Sequence, residues 1–199
     1  MKSSSVFLTN VQIIQNQAML SDVLNLINES YCESHELNLY DENIGVHKLS
    51  LCHEHITVGV ILEGRVVSTM TISFVNNVSE TKRELMYSGR LPCIHFPAAI
   101  FQKAATKISF QGIGLNTLLR FYCILLARQE NIESILGIMP LNAQRSGFLR
   151  SLGYEVVELE DRSTFVRSVP QLVVLRKLHF EFALEVLQEK VANIRVSSR

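Results

Sequence analysis

The chain has 199 residues, 47% of them hydrophobic, and its 19 lysines and arginines balance its 19 aspartates and glutamates. This length and composition predict one globular domain over residues 1–199 with a substantial core. They exclude a largely disordered protein and a general nucleic-acid-binding character. The sequence shows no Cys-x-x-Cys pair and no apolar run of membrane-spanning length. We therefore expect reduced thiols and a cytoplasmic protein without a signal peptide or membrane span.

Hydrophobic periodicity predicts strands and helices in alternation along the chain. The N-terminal part predicts a short strand over 11–14, helix over 19–37 and, around Glu63-Gly64-Arg65, a hairpin of two β-branched strands. The polar stretch 76–90 predicts an irregular connection. Further strands are predicted within 92–106 and over 132–139, 154–159 and 171–178, with helices over 115–129, 141–152 and 178–194. The mixture predicts an α/β fold, in which a mixed central β-sheet is flanked by helices and a C-terminal helix is added.

The most informative stretch is a Gly-x-Gly turn between an apolar run, 96–106, and a helical pattern, 115–128. Its residues are Ser109-Phe110-Gln111-Gly112-Ile113-Gly114-Leu115-Asn116. Glycines lack a Cβ atom, so backbone N–H groups can approach an anion closely, and the first turn of the helix adds unpaired donors and the positive end of its dipole. The pattern predicts a phosphate cradle, although taken alone it fits a simple tight turn into a helix equally well.

The order of elements after this turn resembles the cofactor-binding half of the GNAT acyltransferase superfamily. In that family a strand enters a Gln/Arg-x-x-Gly-x-Gly/Ala turn, and a helix, a second strand and a short helix with a Leu-Gly-aromatic ending follow. Gly112 and Gly114 match the two small positions, and Leu152-Gly153-Tyr154 matches the ending, while Ser109 replaces the first Gln or Arg. With the hairpin included, the resemblance covers roughly residues 56 to 177 and implies a GNAT-like sheet.

The resemblance implies a donor site for a pantetheine thioester, carried either by coenzyme A or by an acyl carrier protein, without a metal. Two parallel strands of the family diverge and bind the pantetheine between them, and the phosphates lie on the glycine turn. Between residues 101 and 150 the chain carries six cations and two anions, which suits phosphate. The implied donor-binding residues are Gln102, Lys103, Ala104, Lys107, Gln111, Gly112, Ile113, Gly114, Leu115, Asn116, Asn142 and Arg145. For Asn142 a helix cap is an equal alternative.

Catalysis of acyl transfer to an amine needs a deprotonated amine, a polarised carbonyl and protonation of the leaving thiolate. The family often uses a tyrosine of the short helix for the last step, but the matching position here is Leu149, following Phe148. We predict Glu84 and His95 as candidate catalytic residues; a solvated loop and a half-buried structural histidine are the alternatives. No cysteine lies in a recognisable nucleophile setting, so we predict direct attack without an acyl-enzyme.

The length of the chain and its segment 41–50 are similar to the long-chain N-acyl amino acid synthase branch, which is related to the acyl-homoserine lactone synthases. That branch implies an acyl carrier protein as donor, and this acidic partner would meet Lys107, Arg120, Arg145 and Arg150. The small apolar residues over 94–105 could line a tunnel for a long acyl chain, although an ordinary core explains them too.

We therefore predict an N-acyltransferase that moves an acyl group from acyl-CoA or acyl carrier protein to a small amine or amino acid. The alternative is a catalytically degenerate module that binds acyl-CoA or a protein partner without turnover, which the missing tyrosine and Ser109 support. A Cys-His-Glu-His run over 52–55 places His53 and His55 on one side of a strand, but no third ligand has a convincing spacing. We predict no metal site and no nucleic-acid partner.

Overall fold

The computed structural model describes residues 11–32, 55–140, 145–160, 170–192 and 194. The strands are β1 (Val11–Ile13), β2 (His55–Leu62), β3 (Arg65–Val75), β4 (Ala98–Thr106), β5 (Ser134–Pro140), β6 (Glu155–Glu158) and β7 (Pro170–Arg176). The helices are α1 (Gln17–Cys32), α2 (Val78–Glu84), α3 (Leu115–Gln129), α4 (Ser146–Ser151) and α5 (Phe180–Ala192), with short 3-10 turns at Ile108–Phe110 and Lys177–His179.

The strands form one mixed sheet in the order β1-β2-β3-β4-β5-β7-β6. The pairing of β4 with β5 is parallel, and the other pairings of the described strands are antiparallel. The predicted α/β class, the mixed central sheet and the added C-terminal helix are confirmed. The hairpin is also where the sequence placed it, because Glu63 (φ 50°) and Gly64 (φ 76°) make the left-handed two-residue turn that joins β2 to β3.

The prediction that residues 76–90 form an irregular connection is wrong, because α2 lies within them. Asn77 caps this helix by accepting a hydrogen bond from the Glu80 backbone N–H (2.9 Å). The Glu80 carboxylate in turn accepts from the Asn76 backbone N–H (2.7 Å) and the Asn77 side-chain amide (2.7 Å). This reciprocal cap satisfies backbone donors at the start of the helix. It stabilises a helix in a segment whose polar composition suggested a loop.

Helices cover both faces of the sheet. On one face α3 and α5 bury the main core, and successive residues of β3 and β4 alternate between this core and the opposite face. The opposite face carries two smaller apolar clusters, one under α1 and one around Tyr87 and Ile94. Phe182, predicted among the apolar residues of the C-terminal helix, is 50% exposed.

Helix α5 runs antiparallel to α3. At one end of the pair, Arg128 near the end of α3 donates to both carboxylate oxygens of Glu181 at the start of α5 (2.9 and 3.1 Å). At the other end, Ile194, just beyond α5, lies against Gly114 at the start of α3. The added C-terminal helix therefore ends beside the glycine turn.

Candidate functional site

The two parallel strands in the middle of the sheet separate shortly after they meet. Their paired residues are Ala98 with Ser134, Ala99 with Ile135 and Ile100 with Leu136. Beyond these pairs β4 continues with β3 on its outer side, and β5 continues with β7 on its outer side. The register between these two described strands ends at Ile100 and Leu136, so beyond that point they no longer pair with each other. Strand edges that separate in this way can hydrogen-bond an extended amide-containing ligand.

Gly137 allows the two backbones to approach where the strands begin to separate. A Cβ atom at this position would lie 3.4 Å from the carbonyl oxygen of Phe101 and 3.2 Å from Cγ2 of Val173. A side chain there would therefore push against β4 and β7 together. We infer that glycine at 137 keeps the closed end of the gap narrow.

A β-bulge interrupts β4 beside the gap. Thr71 pairs with Gln102 and Thr69 with Ala105, so the two residues Lys103 and Ala104 stand opposite a single residue of β3. Lys103 has a left-handed backbone (φ 52°). A bulge bends its strand and changes the direction of the backbone groups that follow. The predicted edge residues Gln102, Lys103 and Ala104 therefore coincide with the bulge.

The glycine turn forms the start of α3, as the sequence predicted. Gly112 (φ 77°) and Gly114 (φ 94°) both have left-handed backbones, and Gly114 is the N-cap residue, without a side-chain cap. The first turn of α3 contains no acidic residue. Uncapped N–H groups at a helix start are the donors that an anion needs.

The surroundings of the two glycines differ. No heavy atom lies within 4 Å of the Cβ position of Gly112, whereas that of Gly114 lies 3.0 Å from two carbon atoms of Ile194. The space at the Cβ position of Gly112 is therefore open, whereas Ile194 covers that of Gly114.

The remaining predicted loop residues divide into exposed and packed ones. Gln111 is exposed, and its side-chain amide donates to the Thr106 carbonyl oxygen (3.3 Å). Leu115 is buried in the core, so its side chain is not available to a ligand and only its backbone could serve. Ile113 packs against the same core, while Asn116 is half-buried.

Of the predicted phosphate contacts outside the turn, Lys107 and Arg145 are exposed, the first after β4 and the second at the N-cap of α4. Arg150 is exposed as well, on α4. Asn142 lies outside the described residues. Lys107 therefore lies on the segment that leads into the glycine turn, and Arg145 lies on α4.

The expectation that Arg120 meets an acidic carrier protein is wrong, because this residue is only 7% exposed. Its guanidinium lies 6.0 Å from the Phe101 ring centroid and 5.6 Å from that of Tyr154, and Nη1 donates to the Tyr154 hydroxyl (3.0 Å). Burial raises the pKa of Tyr154, and the charge of Arg120 partly opposes that rise. Burial also raises the pKa of Cys123 to about 12, so this thiol stays protonated and unreactive near neutral pH.

A polar strip crosses β2, β3 and β4 on the face opposite α3, and we define it by its residues. It comprises His55, Thr57, Thr71, Ser73, Gln102 and Glu84, the last residue of α2. The amide nitrogen of Gln102 lies 2.6 Å from the Ser73 hydroxyl and 3.4 Å from a Glu84 carboxylate oxygen. His55 Nδ1 shares a 2.8 Å hydrogen bond with the Ser73 hydroxyl, and the hydroxyls of Thr57 and Thr71 lie 3.2 Å apart.

The polar strip ends at the bulge of β4. Its member Gln102 directly precedes Lys103, and Glu84, with its side chain 19% exposed, also lies 3.8 Å from Arg83 Nε. The strip separates the two apolar clusters of this face. It therefore brings a carboxylate, an amide and a hydroxyl to the flank of the gap between β4 and β5.

The structure does not bring His95 to this strip. His95 precedes β4, on the side where β4 and β5 are still paired, and it is exposed. The pKa of Glu155 is lowered mainly by its hydrogen bond from Arg176, with smaller contributions from His179 and His95. His95 thus lies near the start of β6. Its catalytic role stays a prediction.

Within the described part of the chain, no group of three or more His, Cys, Asp and Glu residues could hold a metal ion. His55 instead bonds to Ser73, and His53 lies outside the described residues. In the same described ranges, no helix combines the length and the apolar character needed to cross a membrane.

Solved structures with the same architecture identify the fold. FeeM, an N-acyl amino acid synthase from uncultured soil microbes, superposes with a TM-score of 0.65 at 11% identity, over 90% of this chain and 96% of that chain. The chain has the GNAT acyltransferase fold. An aminoglycoside 6'-acetyltransferase of type Ii gives a TM-score of 0.58 at 12% identity, over 83% of this chain and 96% of that one.

A third GNAT structure, an N-acetyltransferase from Staphylococcus aureus Mu50, gives a TM-score of 0.55 at 15% identity, over 83% of this chain and 96% of that one. No protein-family model matches the sequence. The comparison with curated proteins gives no match either. At these identities the likeness concerns the fold alone.

Sequence reasoning missed Ser73 and considered His55 only as a possible metal ligand, although a signal for the polar strip was present. Strand β3 contains Ser68, Thr69, Thr71 and Ser73 among apolar residues, and all four are buried. Buried hydroxyls on a strand need partners across the sheet. This spacing could have indicated a polar surface across β2, β3 and β4.

Proposed function

We propose that this protein is an N-acyltransferase that moves an acyl group from a pantetheine thioester to a small amine or amino acid. The observation that carries the proposal is the gap between β4 and β5, which opens beside the glycine turn on one side and the polar strip on the other. This arrangement would supply a donor site and an acceptor site on the two sides of one thioester.

The donor would lie along the facing edges of β4 and β5. Its pantetheine amides would pair with the backbones of β4 and β5 where these strands no longer pair with each other, beyond Ile100 and Leu136. Its phosphate would lie against the N-terminus of α3 at Gly112, with Lys107 and Arg145 nearby. This chemistry is common to acyl-CoA and to acyl carrier protein.

The proposed reaction is a direct attack in a ternary complex. Glu84 accepts a proton from the acceptor ammonium, the amine nitrogen attacks the thioester carbonyl carbon, and the C–N bond forms as the C–S bond breaks. The electron pair passes to sulfur, and the thiolate takes a proton from solvent, because the α4 position at Leu149 is apolar and buried. The nitrogen loses its second proton to water as the amide forms, and Glu84 returns its proton to solvent. The products are therefore an amide, a free thiol and one proton, so atoms and charge balance.

The test is a matrix of acyl-CoA donors from two to sixteen carbons and of amine and amino-acid acceptors, followed by free-thiol release and mass spectrometry of the amide. We expect thiol and amide to appear in equal amounts, without acylation of Cys93 or Cys123. Binding of coenzyme A without thiol release from any pair would support the non-catalytic alternative and contradict the proposal. An acyl group trapped on a cysteine would contradict direct attack.

Replacing Leu149 with alanine is expected to lower the free energy of unfolding by about 2–3 kcal/mol, because the side chain is buried and leaves a cavity. Donor binding through the pantetheine should be unchanged, but turnover should fall more for long than for short acyl donors if Leu149 lines the acyl path. Urea unfolding and kcat/KM across the donor series measure the two effects. An equal loss at every chain length would remove Leu149 from the acyl path.

A further inference from the structure

The C-terminal end of α5 contacts both the glycine turn and α4. Ile194 continues the last turn of α5 through a hydrogen bond from its backbone N–H to the Val191 carbonyl oxygen (3.0 Å), and its side chain covers Gly114. Lys190, one turn earlier, places its ammonium 5.7 Å from the ring centroid of Phe148 in α4. The helix that follows β7 therefore contacts the start of α3 through Ile194 and contacts α4 through Lys190.

The last turn of α5 also adds a third cation to that region. Lys107 comes from the segment before the turn, Arg145 from the start of α4 and Lys190 from α5, and all three are exposed. The start of α3 carries no acidic residue. Lys190 lies one helical turn before Ile194, which covers Gly114, so it adds a positive charge near a helix start that favours an anion.

We infer that the last turn of α5 forms an outer wall of the donor site, and that Lys190 contacts a phosphate of the donor. The inference rests on the proposed function. The flexible stem of a lysine lets its ammonium leave the Phe148 ring and reach a phosphate oxygen as a point charge. Ile194 keeps water from one side of the α3 N-terminus, which strengthens the electrostatic attraction on the other side.

The experiment compares Lys190→Gln with Arg128→Gln by isothermal titration calorimetry. Both variants remove one exposed cation from the pair of helices α3 and α5, but Arg128 lies at the opposite end of the pair. The titrants are coenzyme A, 4'-phosphopantetheine and pantetheine, at low salt. We expect Lys190→Gln to weaken coenzyme A binding about tenfold, as the loss of one charge-assisted hydrogen bond predicts, and Arg128→Gln to change it less than twofold.

The titrants locate the contact. Equal weakening for coenzyme A and 4'-phosphopantetheine assigns Lys190 to the pantetheine phosphate, which carrier protein shares; weakening for coenzyme A alone assigns it to the nucleotide phosphates. Pantetheine, which has no phosphate, should bind both variants and the unaltered protein equally. Lys190→Arg should keep most of the affinity, and high salt should reduce the difference between the variants.

Equal affinities of the two glutamine variants for coenzyme A would overturn the inference, as would a loss that extends to pantetheine. Either result would leave the proposed function intact if the unaltered protein still binds coenzyme A. If the unaltered protein binds none of the three compounds, the donor site and this inference are both wrong.

Discussion

Replacing Gly112 with valine is expected to weaken coenzyme A binding about 100-fold or more. Two charge-assisted hydrogen bonds from the turn, at about 1.5–3 kcal/mol each, would be blocked by the new side chain. Because the φ angle of Gly112 is 77° and its Cβ position is open, the substitution should strain the backbone by about 1–2 kcal/mol without a clash. Calorimetric titration and urea unfolding measure the two effects separately.

Gly64→Val is the matched control for this substitution. Gly64 has a φ angle of 76° and, like Gly112, has no atom within 4 Å of its Cβ position, but it lies in the hairpin turn between β2 and β3. It should lose a similar amount of stability and keep donor binding. If both variants bound coenzyme A alike, the glycine turn would be structural only.

Gly114→Val should behave differently from both. Its Cβ would meet Ile194 at 3.0 Å, so the valine would displace the C-terminal segment in addition to straining the backbone. We expect a larger loss of stability than for Gly112→Val, and the stability difference between the two variants reports the contact with Ile194.

The glycine turn, where we propose that the donor phosphate binds, could be predicted from the sequence because its signals are local. A glycine turn followed directly by a helical pattern fixed the start of α3, and its bounds, Leu115–Gln129, agree with the prediction. The gap itself had no local signal. It depends on the contact of Gly137 with Phe101 across two strands and on the bulge at Lys103, and both arise only when distant segments pair.

Helix α2, which carries the proposed base, and the environment of Arg120 were predicted less well, each for a physical reason. The Asn-x-x-Glu spacing of Asn77 and Glu80 indicates a helix start. The charged residues after it suggested an irregular connection, so α2 was not predicted. Arg120 was counted as a surface charge, although Cys123 and Ala127 lie three and seven residues later on the same helix face. Helical periodicity therefore placed Arg120 toward the core, where two aromatic rings and a tyrosine hydroxyl partly compensate its charge.

Replacing Glu84 with glutamine is expected to lower kcat by about 100-fold to 10,000-fold, the range observed when a positioned general base is lost. The change removes basicity but keeps the shape, and the amide oxygen of the new side chain can still accept from Gln102, as the carboxylate does at 3.4 Å. Donor binding and the free energy of unfolding should therefore hardly change. Steady-state kinetics with the best pair of substrates, coenzyme A titration and urea unfolding measure the three quantities.

Glu63→Gln, which removes an exposed carboxylate from the hairpin turn, controls for the loss of charge and should keep full activity.

Gln102→Leu separates the positioning of Glu84 from proton transfer. It leaves the Glu84 carboxylate without its amide partner and leaves Ser73 bonded to His55, so kcat should fall less than in Glu84→Gln. If Glu84→Gln kept its kcat within a few-fold, the base would be another group or a water molecule. The polar strip would then orient the acceptor without taking its proton.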